Sequence, residues 1–244
     1  MQHKSDRIKL ENGKVTGVVI RNQKTGEVWT EPADHVVANV TVQNLVQLLG
    51  KNAPQGYKQR VEKLPQASGA FVVYLGVDES AIPPGCPRHL QFMYDANGPI
   101  GENNSLFVSV SKPGDGRAPD GKATIIASSF VDPKPWSQDD DYERMKEKYT
   151  QEAIAKLSQF FHLTPETILH QEAATPRTFA RYTARDQGIV GGIGQRIPTF
   201  GPFGFATRTP IKHLWLVGDS THPGEGTAGV SYSALTVVRQ IEAE

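Results

Sequence analysis

The residues with the most chemical potential lie at 214–230, where an apolar run ends at Gly218 and Asp219 and a glycine-rich loop follows. The loop leads into a segment, beginning near Thr227, that mixes apolar and polar residues as an amphipathic helix does. The first N–H groups of a helix lack partners and carry a partial positive charge. Glycines allow a flat or anionic ligand to approach the backbone. The stretch predicts a ligand-binding strand–loop–helix unit or, failing that, an ordinary solvated turn.

The same stretch contains the pattern GxGxxG at residues 224–229. In the dinucleotide fingerprint this pattern follows its strand directly, and an acidic residue lies about 20 positions further on. Here six residues separate Val217 from Gly224, and fifteen residues follow Gly229. The spacing therefore excludes a dinucleotide fingerprint.

A nucleophilic site is the second alternative. Residues 218–220, Gly-Asp-Ser after a strand, resemble the nucleophile block of GDS-type esterases, and residues 219–222 match their DxxH block. A nucleophile and its base must meet at hydrogen-bond distance, with the base oriented by a third group. In those esterases the two blocks lie at opposite ends of the domain, whereas here they share four residues. The esterase interpretation fits poorly.

The elements that position this loop are predicted at both ends of the sequence. Four strands are predicted among the first forty residues, at 7–10, 15–21, 27–30 and 34–40. The pair Asn12-Gly13 between the first two is a strong hairpin signal. The fourth is mostly apolar from Val36 on, as in strands that are buried on both faces. A buried strand at 213–217 and a helix at 227–241 complete this part.

The middle of the chain predicts an antiparallel sheet with helices. Short helices are predicted at 41–50 and 57–64, and strands at 69–77, 90–94, 105–111 and 123–130. Apolar residues at helical spacing predict a longer helix at 139–161, with Ser137 as its N-cap. Two further helix starts are predicted at Thr164-Pro165-Glu166 and Thr175-Pro176-Arg177, because proline favours the first helical position. The fold class is α/β, with residues 1–40 and 212–244 forming one domain and 41–211 an α+β insert.

Composition excludes several classes of function. Lysine plus arginine and aspartate plus glutamate both number 26, so the net charge is zero and non-specific nucleic-acid binding is excluded. The single cysteine, Cys86, excludes an internal disulfide and a multi-cysteine zinc site, and is consistent with a reducing compartment. The seven histidines show no metal-binding spacing, so no metal site is predicted. No apolar run reaches the roughly 20 residues that span a bilayer.

Residues 214–230 resemble the C-terminal flavin-contacting motif of the phytoene desaturase-like flavoproteins, which include carotenoid desaturases and carotenoid cis–trans isomerases. The resemblance extends upstream to residues 175–179, 182–183 and 188–192, and to the opening hairpin and returning strand at 11–18 and 33–39. It implies an FAD-binding domain of the glutathione-reductase/amine-oxidase type with an inserted substrate domain. The terminal motif is specific, whereas the opening hairpin occurs in many flavoproteins.

The resemblance also implies which residues contact the cofactor. Asp219, after Gly218, would accept a hydrogen bond from the ribityl part of FAD. The helix start would place backbone N–H groups near the flavin pyrimidine ring, and its residues are Gly226, Thr227, Ala228, Gly229 and Val230. No catalytic acid or base stands out, as expected when a hydride passes from a hydrocarbon to flavin.

This sequence departs from the family pattern at two points. The family has a glycine-rich motif near its N-terminus that holds the ADP half of FAD, and this sequence has none. We therefore expect the chain to correspond to the C-terminal portion of a longer flavoprotein, to bind FAD weakly alone and to be inactive when isolated. Glu225 stands where the family usually has glycine or another small residue.

The resemblance implies a hydrophobic polyene substrate, carotenoid desaturation as the reaction, and a cytoplasmic enzyme attached peripherally to membranes, with residues 81–93 as the expected contact. Cis–trans isomerisation and a non-catalytic isoprenoid- or lipid-binding module remain alternatives. Four aromatic residues are expected in the sheet core or along a polyene tunnel, namely Phe71, Tyr74, Phe92 and Tyr94. Arg177, Arg181 and Arg185 are spaced as a basic helical stripe, either solvated or in contact with an anionic lipid or cofactor phosphate.

Overall fold

The computed structural model describes residues 2–137, 141–194, 196–199 and 201–244. The chain divides into two compact units. The first is discontinuous and combines Met1–Ala67 with Val190–Glu244, and the second is Ser68–Ile189. The second unit is shorter at both ends than the predicted insert 41–211, so the two helices after the first four strands belong to the discontinuous unit.

The described residues contain ten strands and five α-helices. In chain order the strands are β1 (His3–Glu11), β2 (Lys14–Asn22), β3 (Val28–Pro32), β4 (Val36–Ala38), β5 (Gly69–Asp78), β6 (His89–Met93), β7 (Ser105–Val110), β8 (Lys122–Val131), β9 (Ile168–Ala174) and β10 (Leu214–Leu216). The helices are α1 (Val42–Leu49), α2 (Gln55–Glu62), α3 (Tyr142–Leu157), α4 (Pro176–Thr183) and α5 (Thr227–Glu242).

The discontinuous unit begins with the predicted antiparallel meander β1-β2-β3. Asn12 and Gly13 both adopt positive φ, 50° and 74°, and join Glu11 to its partner Lys14 in a two-residue hairpin. Such turns need two residues that tolerate the left-handed region, which Asn-Gly supplies. The predicted hairpin is confirmed.

Helix α1 and the strand pair β4–β10 form the core beside this meander. Thr41 caps α1 by accepting a hydrogen bond from the N–H of Asn44 at 3.1 Å. Buried side chains from several elements meet here: Ile8, Val15, Val42, Leu45, Leu49, Phe205, Leu214 and Leu216. Hydrophobic contacts between these distant parts of the chain hold β10 against β1, β2 and α1.

Strands β4 and β10 pair in parallel, with Val36 opposite Leu214 and Ala38 opposite Leu216. All three residues of β10 are buried. In β4, however, Ala38 is buried while Val37 is 49% exposed. The predicted burial of β4 on both faces is therefore wrong, because Val37 stays half exposed although its partner Trp215 in β10 is buried.

The second unit is a five-stranded antiparallel sheet in the order β6-β7-β8-β5-β9. One face packs on α3 and on an aromatic cluster, in which the Trp136 and Tyr149 ring centroids lie 5.0 Å apart and Phe71 contacts both rings. Phe92 and Tyr94 pack against the same core. Tyr74 lies on the opposite face and is 36% exposed, so the expectation of a core position for Tyr74 is wrong.

Two predicted helix boundaries need correction in this unit. Helix α3 begins at Tyr142, with Asp141 at its N-cap position, and ends at Leu157 rather than at residue 161. Residues 138–140, and with them the predicted start at 139, lie outside the described residues, and Ser137 instead donates its hydroxyl to the carbonyl of Lys134.

The two Thr-Pro pairs have different outcomes. Thr175 and Thr178 form a capping box at the start of α4, as predicted. Thr164-Pro165 begins a turn, closed by the N–H of Thr167 donating to the Thr164 carbonyl at 3.1 Å, and strand β9 follows. The predicted helix at 164 is therefore wrong.

The basic stripe is shorter than predicted. Helix α4 ends at Thr183, and Ala184 adopts a left-handed conformation with φ of 58°. Arg185 thus lies beyond the helix, and only Arg177 and Arg181 share its surface. The Arg177 guanidinium lies 4.3 Å from the centroid of the Tyr142 ring.

Candidate cofactor-binding site

The site begins where β10 leaves the core. The N–H of Val217 donates to the carbonyl of Ala38 at 3.0 Å, and the N–H of Gly218 donates to the Ser233 hydroxyl at 2.9 Å. Gly218 has φ of 100°, and a Cβ atom there would lie 2.5 Å from Oδ1 of Asn39. The chain can therefore turn away from the sheet at this position only with glycine.

The turn that follows is tightly packed. The Thr221 hydroxyl donates to the carbonyl of Gly218 at 2.8 Å. Asp219 is half-buried, and Ser220 is fully buried. The Ser220 hydroxyl has no hydrogen-bond partner among the described residues. Because buried polar atoms are usually satisfied, an unpartnered hydroxyl beside Asp219 indicates a place where a ligand or water completes the structure.

Helix α5 presents its first turn to solvent. Its N-cap is Gly226, with φ of 92° and no capping side chain, and the first turn contains no acidic residue. The N–H of Val230 bonds to the Gly226 carbonyl at 3.0 Å, whereas Thr227 and Ala228 are exposed. The N–H groups at this end therefore point to a surface where the helix dipole favours negative charge.

Two glycines shape the approach to this helix. A Cβ atom on Gly229 would lie 2.5 Å from the carbonyl oxygen of Gly224, so the loop packs directly on the first turn. At Gly226, by contrast, no atom lies within 4 Å of the Cβ position. One glycine allows close packing within the protein, and the other leaves backbone accessible to a ligand.

A second glycine-rich segment, which was not among the predicted site residues, lies against the motif. A Cβ atom on Gly192 would lie 2.5 Å from the Asp219 carbonyl oxygen and 2.7 Å from the Ser220 nitrogen. The Glu225 carboxylate lies against Gly191 where a Cβ atom would project. The pair Gly191-Gly192 was the sequence signal for this segment, because both residues adopt positive φ. Glu225 stands where the family usually has a small residue, and it packs against Gly191, which has no side chain.

The structure therefore brings the predicted residues into one strand–loop–helix unit. Gly218 and Asp219 lie at the end of β10, and residues 226–230 form the cap and first turn of α5. The arrangement can hold a flat or anionic group through backbone N–H donors. The roles of these residues in binding remain predictions.

Two solved structures with a similar fold are an oxidoreductase and an amine oxidase. An oxidoreductase from Methanosarcina mazei is similar over 97% of this chain and 49% of its own, with a TM-score of 0.62 and 18% identity. Cyclohexylamine oxidase from Brevibacterium oxydans is similar over 98% and 48%, with a TM-score of 0.59 and 15% identity. The fold is that of the amine-oxidase type of oxidoreductase, and the predicted α/β class is confirmed.

Sequence comparison gives the family. No protein-family profile matches, but prolycopene isomerase from Daucus carota is 30% identical over 96% of this chain and 38% of its own length. A neurosporene-forming phytoene desaturase from Cereibacter sphaeroides is 28% identical over 98% and 48%. The chain is similar to this carotenoid desaturase/isomerase-like family over nearly all of its residues, as residues 214–230 predicted, and it spans less than half the length of these relatives.

Proposed function

We propose that this chain forms the flavin-contacting and substrate-binding part of an FAD-dependent oxidoreductase that desaturates carotenoids. The observation that carries the proposal is the β10–loop–α5 unit, which presents backbone donors and no first-turn carboxylate at the position of the family's flavin motif. Similarity to a phytoene desaturase over 98% of the chain supports the reaction.

The residues present fit FAD in three respects. Gly226 leaves the backbone open, the unpartnered Ser220 hydroxyl lies beside Asp219, and the α5 N-terminus favours the negative charge that a reduced flavin carries. When bound, FAD would supply the hydride acceptor for converting a carbon–carbon single bond to a double bond. In this proposal the chain's own residues bind and orient: Asp219 accepts a hydrogen bond from a ribityl hydroxyl, and the first turn of α5 donates to the flavin ring.

The open face of the second unit's sheet supports a hydrophobic substrate. Five side chains that alternate with the buried core residues lie on this face: Tyr74, Met93, Phe107, Ile126 and Phe130. Phe107 and Phe130 are each about half exposed. The face also carries polar residues, among them Gln91, Ser128 and Glu172. Its exposed apolar and aromatic side chains suit a long hydrocarbon, because contact with them removes apolar surface from water. We propose this face, and not Phe71, Phe92 or Tyr94, as the surface that contacts the polyene.

Product analysis of the whole protein tests the proposal. We expect the protein, supplied with FAD and a series of carotenes, to yield a product lighter by two hydrogen atoms for each new double bond. A product of unchanged mass but altered geometry would instead establish cis–trans isomerisation, which the similarity to prolycopene isomerase supports. Binding of carotene without any product would favour the non-catalytic module.

We also propose peripheral membrane attachment, because a carotene substrate dissolves in the bilayer. Among the described residues no helix is long and apolar enough to cross a membrane. The segment 81–93 contains one arginine or lysine, Arg88, and Asp115 pairs with it at 2.8 Å. The surface around α2 is more basic: an open cleft there is lined by Arg60, Lys63 and Arg196 without a carboxylate.

Apolar side chains flank the same cleft. Ile197 is 88% and Phe203 60% exposed, and the Arg60 guanidinium donates to the Phe203 carbonyl at 2.7 Å. Exposed apolar side chains beside cations are what interfacial membrane binding uses. We therefore place the membrane contact at this cleft in preference to 81–93.

We expect the double variant Lys63→Glu/Arg196→Glu to lose most of its co-sedimentation with phosphatidylglycerol-containing vesicles at low salt. Each basic residue near an anionic surface contributes about 1 kcal/mol to attraction, so two reversals weaken binding at least about tenfold. Lys146→Glu/Lys148→Glu on α3 is the matched control and should bind as the parent does. Equal loss in both variants, or no sedimentation of the parent, would exclude the cleft as the contact.

A further inference from the structure

Two histidines and a glutamate meet outside the motif. His35 precedes β4, His213 precedes β10, and the parallel register places these two strand entrances side by side, with the N–H of Val36 donating to the His213 carbonyl at 3.0 Å. Glu244 follows α5 and reaches the same point. No local spacing in the sequence revealed this cluster, because its members come from three distant segments.

The ligand-type atoms converge. Oε2 of Glu244 lies 3.5 Å from Nε2 of His213 and 3.9 Å from Nδ1 of His35, and one ligand atom from each residue falls within 4.8 Å of the others. We infer that His35, His213 and Glu244 form a binding site for a divalent transition-metal ion, with the metal joining β4, β10 and the end of α5.

His213 is already oriented as a metal ligand. Its Nδ1 lies 3.0 Å from the carbonyl oxygen of Asp34, so Nδ1 carries the proton and donates. With a metal ion bound, the lone pair of Nε2 would coordinate it beside the Glu244 carboxylate. Metal-bound histidines usually donate their second ring nitrogen to a carbonyl or carboxylate in this way, which fixes the tautomer.

Glu244 is oriented by a neighbouring cation. Arg208 contacts Oε1 of Glu244 at 3.2 Å, which leaves Oε2 directed at the histidines. The guanidinium also offsets the carboxylate charge, so the site offers two imidazole nitrogens and little net negative charge. Zn²⁺, Ni²⁺ and Cu²⁺ bind imidazole readily, whereas Ca²⁺ and Mg²⁺ need several oxygen ligands. The cluster therefore selects transition metals.

His35 must turn its ring to bind. Its imidazole stacks on that of His213, with centroids 4.3 Å apart and planes 9° apart, and parallel rings cannot both direct an in-plane lone pair at one ion. Nδ1 of His35 also accepts a hydrogen bond from Nε1 of Trp215 at 3.2 Å. Metal binding would release that indole N–H, so the fluorescence of the buried Trp215 reports on the site.

The test is a titration of the tag-free chain with zinc chloride, followed by calorimetry and tryptophan fluorescence. We expect one Zn²⁺ per chain, a change in tryptophan emission and a raised melting temperature, since a ligand that binds the folded state stabilises it. His213→Asn and Glu244→Gln should each lower affinity at least about tenfold, because losing even outer-shell partners costs about 10–100-fold. Asparagine is chosen because position 213 has φ of 64°, which asparagine tolerates.

The matched control is His170→Ala. His170 lies on β9 beside Glu172, with 4.0 Å between Nε2 and Oε2, and this pair has no third ligand group in the described residues. The control should bind zinc as the parent does. Melting curves without metal show whether each variant is folded. No stoichiometric binding by the parent, equal binding by folded His213→Asn and Glu244→Gln, or equal saturation with Ca²⁺ would overturn the proposal.

Discussion

Replacing Asp219 with alanine in the whole protein should weaken FAD binding about ten- to a hundredfold. A charge-assisted hydrogen bond from a ribityl hydroxyl to the Asp219 carboxylate is worth about 1.5–3 kcal/mol, and about 1.4 kcal/mol corresponds to a factor of ten. Asp219 lies half-buried in the turn after β10 rather than in the core, so apoprotein stability should change less. A flavin titration and apoprotein melting curves measure the two effects.

Two variants separate binding from folding at this position. Asp219→Asn keeps an oxygen acceptor without the charge and should lose less affinity than Asp219→Ala. Asp120→Ala removes an exposed carboxylate in the second unit and should leave flavin affinity unchanged. If Asp219→Ala binds FAD normally but melts far lower, Asp219 is a turn residue, and its assignment to the cofactor site is wrong.

Gly192→Ala should destabilise the discontinuous unit strongly and abolish the ordered flavin loop. Position 192 has φ of 67°, which costs a non-glycine residue about 1–2 kcal/mol. The added Cβ would also lie 2.5 Å from the Asp219 carbonyl oxygen, and such overpacking costs about 1–3 kcal/mol more. Because the clash is with backbone, one of the two segments must move. Denaturant unfolding of the chain and FAD titration of the whole protein give the two readouts.

Gly26→Ala measures the backbone part of that effect alone, so the difference between the two variants gives the steric part. Gly26 belongs to the same unit, has φ of 74°, and has no atom within 4 Å of its Cβ position. It therefore incurs the backbone cost alone and should retain full flavin affinity. Equal destabilisation by the two substitutions would show that segment 191–194 does not press on the Asp219 turn as the structure describes.

The elements of the site were predictable because local signals agreed with the fold. The three residues of β10 are apolar and buried, Asn12-Gly13 has the turn chemistry that its hairpin requires, and Thr175 caps a helix that proline begins. Where the local sequence and the tertiary structure favour the same element, prediction from sequence succeeds. The core-facing alternation in β5 and β8 likewise follows the two-residue period of a strand.

The errors come from features that only tertiary contacts decide. Strand β9 is an edge strand with the polar residues His170, Gln171 and Glu172, so it shows no apolar alternation, and Thr164-Pro165 resembled a helix start. The exposure of Val37 depends on what covers each face of β4. The spacing of the arginines predicted that Arg185 lies on helix α4. The helix ends before Arg185, because Ala184 adopts a left-handed conformation that the sequence does not indicate.

Within the candidate site, sequence reasoning found the residues that are contiguous with the motif and missed those that approach it from elsewhere. Gly192 and Asn39 contact the turn through space, from segments distant in sequence. Their contribution depends on distances between backbone and side-chain atoms, which no local pattern encodes. The convergence of His35, His213 and Glu244 has the same origin.

The parallel pairing of β4 with β10 bears on the order in which the chain is made and folds. All of Ser68–Ile189 lies between the two strands in sequence, and closing a longer loop costs about 0.6 kcal/mol more for each doubling of its length. On the ribosome, β4 emerges long before its partner, while the intervening unit can fold as it appears. The edge of β4 that pairs with β10 therefore stays open until residues 214–216 are made, and an open strand edge is a site at which a nascent chain aggregates.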